Sequence, residues 1–214
     1  MNIVLDHLGD YLDGIWVTVE LTVLSFAIAF LIGVVVATFR VSPVPPLRLA
    51  GAVWVETLRN TPLAVLMFLF FFGLTKAGIN YSGFTSAIIV LSTYTSTFVA
   101  ETVRAGINTV ARGQAEAARA LGLTFGQSVG LVVMPQALRS VVAPLGSVFI
   151  ALIKNSAIAS IIAVADLTAV AEGLNNTFDQ PIPIFVGAAI AYVGLAVPAG
   201  LAVGALERKV AIRR

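Results

Sequence analysis

Residues 21–39 carry no charged side chain. A charge-free apolar run of that length suits a helix crossing a bilayer core about 30 Å thick, which takes about 20 residues. Four more windows follow: 60–75, with Glu56 and Arg59 at its foot; 77–100, rich in Ser and Thr; 140–165, interrupted by Lys154 alone; and 180–206, uncharged and carrying Pro181, Pro183 and Pro198. Within lipid, backbone polar groups must be satisfied inside the protein, so runs of this kind become helices, and proline is tolerated where neighbours cover the freed carbonyls. The chain is 58% hydrophobic and 11% charged, with a mean hydropathy of +0.97, far from the balance of a water-soluble domain. We therefore expect an all-α integral membrane protein, a single domain over 1–214, with five transmembrane helices at about 15–39, 54–75, 80–104, 140–165 and 181–206.

The charges give this bundle a direction. Arg40, Arg48 and Arg59 lie between spans one and two, Arg104, Arg112, Arg119 and Arg139 between three and four, and Arg208, Lys209, Arg213 and Arg214 after five. Asp6, Asp10 and Asp13 precede span one, and Asp166, Glu172 and Asp179 separate four from five. The positive-inside rule then predicts the N-terminus outside and the C-terminus cytoplasmic. The basic residues form no stripe or basic–aromatic array of the kind that binds nucleic acid. The N-terminus has no basic region ahead of the first apolar run, so span one does not read as a removable signal peptide. Cysteine is absent, which excludes thiolate metal sites and cysteine nucleophiles. The single histidine, His7, reads as a surface residue, since no metal-ligating partners accompany it.

Proline at 43, 45 and 46 predicts a cytoplasmic turn over 41–49, and Arg59-Asn60-Thr61-Pro62 reads as the start of span two. Hydropathy shows no inverted repeat. The segment at about 108–135 is the most informative. Residues 113–121, GQAEAARAL, are strong helix formers, and Gly122 suits a C-terminal stop. Thr124 and Gln127 have capping-box spacing and open a second short helix, with Val129, Val132 and Val133 on its apolar positions up to a break at Pro135. The first helix carries Ala115, Ala117, Ala118 and Ala120, with Glu116 and Arg119 between them, a surface another protein's backbone can approach closely. A helix lying on the membrane would want bulkier anchors than alanine.

Glu116-Ala117-Ala118, three residues, Gly122, nine residues, then Val132-Val133-Met134-Pro135 resembles the EAA loop of bacterial ABC importer permeases. RNTPL (59–63), TSTFVAETVRAGI (95–107), GQAEAARALGL (113–123), MPQALR (134–139) and LIKNSAIASII (152–162) resemble the polar-amino-acid branch, its glutamate permeases above all. The similarity spans about 17–206. It implies a cell-membrane permease subunit paired with a second copy or a paralogue, two cytoplasmic ATPase subunits and an external substrate-binding protein. Glu116, Ala117, Ala118, Arg119, Gly122 and Pro135 would then form the element that couples to the ATPase. ATP and Mg would be used by that partner, with no cofactor bound here. The chain lacks the phosphate loop G-x-x-x-x-G-K-[ST], so it is not itself the ATPase and is not expected to be an enzyme.

Ionisable residues deep in a span are costly and are functional candidates by default. Lys154 is far from both ends of span four at 1.5 Å per residue, and Asn155 and Ser156 follow it. On span three, Thr93, Thr97 and Glu101 share a face by i, i+4 spacing. Together these six could line a polar path for an amino acid. Three other readings stay open at this point: a structural Lys154–Glu101 pair, Ser and Thr hydroxyls bonded to their own helix backbones, or an ion- or proton-coupled carrier that uses Lys154 and Glu101. Glu20 sits at the outer edge of span one, and Gly200 and Gly204 form a small-residue stripe on span five.

Overall fold

A computed structural model describes residues 2–210; the sequence's last cations, Arg213 and Arg214, lie outside the described residues. Every described element is helical. Apart from the short helical stretches Phe125–Gln127, Ser128–Val133 and Ser156–Ile162, they are in chain order α1 (Asn2–Asp6), α2 (Leu8–Arg40), α3 (Pro45–Arg59), α4 (Leu63–Lys76), α5 (Gly83–Thr109), α6 (Arg112–Ala120), α7 (Met134–Ser140), α8 (Val142–Asn155), α9 (Leu167–Phe178) and α10 (Pro181–Val210). Four helices are long and apolar enough to cross a membrane, and a fifth crossing follows if the bent pair α3–α4 is counted as one.

That pair corrects two expectations. The helix anticipated over 54–75 is two helices meeting at 99°. Pro62 lacks the N–H to continue α3 and sits extended, at φ −58° and ψ 131°, before α4 begins. Side chains reinforce the end of α3: Asn60 Nδ2 donates to the Glu56 carbonyl at 2.8 Å alongside its own backbone N–H, and the Thr61 hydroxyl donates to the carbonyl of Thr57 at 2.8 Å. The turn expected over 41–49 is also shorter, because Pro45 and Pro46 occupy the first positions of α3, where a missing N–H costs nothing.

α2 and α5 form the axis of the bundle and run in the same direction. A Cβ on Gly33 would come within 2.5 Å of Val99 Cγ1 and 2.9 Å of the Ser96 carbonyl, so glycine permits this crossing. Around the axis, Leu21, Met67, Leu91 and Leu152 form one buried cluster, and Val36, Val55, Val103 and Leu145 a second. The Trp54 indole N–H donates to Ser96 Oγ at 3.1 Å and ties α3 to α5. A third cluster, with Tyr11, Leu167 and Ile184, joins α9 and α10 to the start of α2, where the Tyr11 hydroxyl donates to the Ile184 carbonyl at 2.8 Å.

Candidate functional site

The loop between spans three and four begins with α6. Gly122 stops that helix with φ +79°, a conformation that costs glycine little and other residues more. The Leu123 N–H reaches the Ala118 carbonyl at 3.1 Å, and the Gly122 N–H reaches that of Arg119 at 2.9 Å, the paired bonds of a Schellman stop. The Thr124–Gln127 capping box is formed in both directions. The break expected at Pro135 is absent. A π-helical stretch, Ser128–Val133, takes up the irregularity, and Pro135 falls at the start of α7. Glu116, Ala117, Arg119, Gly122 and Pro135 are exposed. Ala118 is not: it is 3% exposed, so the outward surface of α6 is narrower than the alanine count implied. Leu121 and Leu131 stand in the open beside it.

The six residues of the expected polar path do not converge. Asn155 lines a groove of about 260 Å³ with Thr95, Phe98, Ser147 and Ala151, between α5 and α8. Lys154 is exposed beside it. Thr93 opens onto a different groove, against Leu66 and Phe70. Thr97 and Ser156 are fully buried, and their hydroxyls donate to the carbonyls of Tyr94 and Ile153 on their own helices, at 2.7 and 2.8 Å. After Asn155 the helix tightens into a 3-10 stretch, Ser156–Ile162, which ends at Ala163 in the left-handed region, φ 59°. Glu101 belongs to a different set: the Arg40 guanidinium donates to its Oε1, and Arg104 Nη2 donates to its Oε2 at 2.8 Å. Among the described residues Lys154 has no carboxylate within salt-bridge distance, so the Lys154–Glu101 pair is not formed. Arg40 stands 61 positions from Glu101, and no local pattern could announce it. Thr95, Ser147 and Ala151 also escaped the sequence reading, although Ser147 and Ala151 precede Asn155 at four-residue steps, which marks one helix face.

A buried polar cluster closes the other end. Asp166 is 0% exposed and caps α9 through the Ala169 N–H at 3.0 Å. The Tyr192 hydroxyl donates to its Oδ2 at 3.2 Å, and the Leu167 N–H donates to Thr18 Oγ1 at 3.2 Å. Burial pushes the Asp166 carboxyl up to about 6 against the hydrogen bonds that hold it down.

Known transport proteins share this fold. A crystal structure of an amino acid ABC transporter with histidines matches with a TM-score of 0.87 at 33% identity, over 96% of each chain. An inward-facing structure of the MetNI methionine ABC transporter matches with a TM-score of 0.82 over 97% of this chain and 99% of that one; at 22% identity the likeness speaks for the fold alone. The family described as binding-protein-dependent transport system inner membrane component matches residues 29–212, and the chain belongs to it. Among its relatives are the probable glutamine ABC transporter permease protein GlnM of Bacillus subtilis, 37% identical over 98% of this chain and 97% of that one, and the glutamate transport system permease protein GluC of Corynebacterium glutamicum, 38% identical over 95% of each. The chain is thus a multi-pass membrane component of a transport system.

Proposed function

We propose that this chain is the permease subunit of an ATP-driven importer for a polar amino acid of the glutamate or glutamine kind. The observation that carries the proposal is the near full-length likeness to permeases named for glutamine and glutamate. The preserved EAA spacing, on a helix whose stop is set by Gly122, agrees with it. In this reading 1–214 is one membrane domain with its N-terminus outside, and α6 docks in a partner ATPase through Glu116, Ala117, Arg119 and the Gly122 bend. A second permease subunit completes the pathway. The ATP and Mg belong to the ATPase pair, and an external binding protein delivers the amino acid.

Asn155, with Lys154 beside it and Thr95 across the groove, is the part of the expected path that can meet a zwitterion. The ammonium of Lys154 suits a carboxylate, and the Asn155 amide can both donate and accept. Reconstitution into liposomes with the ATPase and binding protein tests the reading: labelled glutamine or glutamate accumulates only with ATP, and ion gradients have no effect. Uptake that follows a proton or sodium gradient without ATP would overturn it.

A further inference from the structure

We propose that the groove between α2 and α10 holds an anionic phospholipid, with one acyl chain along α8 and the phosphate near Arg139 and Lys209. Two recesses share Phe149 as a common wall. The larger, about 320 Å³, is lined by Phe30, Leu138, Val142, Gly146 and Leu206; the smaller, about 110 Å³, continues it past Thr22, Ile153 and Leu195. The helices agree in direction, since residue numbers fall along α2 and α10 as they rise along α8. The floor from Val142 to Ile153 is about 16 Å long at 1.5 Å per residue. One leaflet's half of a core about 30 Å thick is about 15 Å.

The groove and the recess that holds Asn155 lie on opposite sides of α8. On α8, Leu145, Phe149 and Ile153 recur at four-residue steps and line the groove, whereas Ser147, Ala151 and Asn155 recur on the opposite side and line the recess against α5. A partner subunit seated on the pathway side leaves the groove to lipid. Charge selects the lipid. The mouth of the groove at Leu138 and Leu206 adjoins Arg139 and Lys209, both exposed; Lys209 follows Leu206 by three residues on the same face of α10, whereas Arg208 turns to the far face beside Gly204. Among the described residues neither Arg139 nor Lys209 has a carboxylate within salt-bridge distance, so both are free to meet a phosphate.

Native mass spectrometry of the full-length chain, delipidated in detergent and then titrated with phosphatidylglycerol or phosphatidylethanolamine of matched acyl chains, provides the test. The wild type retains phosphatidylglycerol preferentially. R139Q/K209Q loses at least about fivefold of that preference, whereas R48Q/R112Q, with the same charge loss away from the mouth, keeps it. V142W, which fills the groove, lowers retention of both lipids. Equal retention of the two lipids by the wild type, equal loss of preference in both double variants, or unchanged retention in V142W would each overturn the proposal. So would a co-purifying polypeptide that V142W displaces in place of lipid.

Discussion

Glu101 is bonded to Arg40 and Arg104, and this changes what substitution of Lys154 can do. If Lys154 were the partner of Glu101, Lys154→Met would strand a carboxylate, and Glu101→Gln would rescue it. The geometry removes that link. Lys154→Met therefore inserts and assembles normally but abolishes uptake in the reconstituted importer, and adding Glu101→Gln brings no recovery; wild-type uptake by Lys154→Met would remove the residue from the pathway. Glu101→Gln alone leaves two guanidiniums facing each other and costs about 2–4 kcal/mol, somewhat less than loss of a wholly buried partner, read as a lower melting temperature. Asp166 makes a separate forecast. Its folded value of about 6 lies above the ordinary 3.8, so the stability it contributes is complete below about pH 3.8 and is lost as pH rises through about 6. The span is worth about 3 kcal/mol at 1.36 kcal/mol per unit. The detergent-solubilised chain should melt higher at pH 5 than at pH 7.5, and Asp166→Asn, which keeps a capping side chain, should flatten that difference.

At the level of elements, two glycines carry definite and different burdens. Gly122 holds a left-handed stop with open space where a Cβ would go, so Gly122→Val strains the backbone by about 1–2 kcal/mol without a clash. The protein should reach the membrane in wild-type amount, while ATP hydrolysis by the assembled importer no longer responds to the loaded binding protein. Gly33→Val acts in the opposite way: the α2–α5 crossing cannot form, and the yield of folded protein falls before transport can be measured. The sequence announced the first of these through the local grammar of a helix stop and a capping box. It could not announce the second, because Val99 approaches from a distant part of the chain. The same division explains the spans. Charge-free runs located the crossings, yet the 99° bend in span two was missed, since proline at a helix start and proline at a corner look alike in one dimension. Likewise the sequence left Thr97 and Ser156 open between a pathway and bonds to their own helices, and the structure decides for the second.

For the whole molecule, orientation is the first quantity to measure. With the N-terminus outside, an epitope ahead of Met1 should react with antibody in intact cells once any outer barrier is permeabilised, and one after Arg214 should react only when the membrane is opened. Labelling of both ends from the cytoplasm would reduce the crossings to an even number. The corner in span two then has a mechanical consequence. Beyond the corner only Leu63–Lys76 continues, about 21 Å of helix against a core about 30 Å thick, so the crossing is complete only with the depth that the tilted α3 adds. Where α3 adds less than the missing depth, lipid beside the pair thins to match it, at a modest energetic cost for each ångström of mismatch. Any movement that swings α3 toward the line of α4 lengthens the crossing and relieves the thinning, so bilayer thickness biases the resting shape of the protein. Reconstitution in a series of phosphatidylcholines of increasing chain length should therefore shift basal turnover steadily with thickness, even when every partner subunit is held constant.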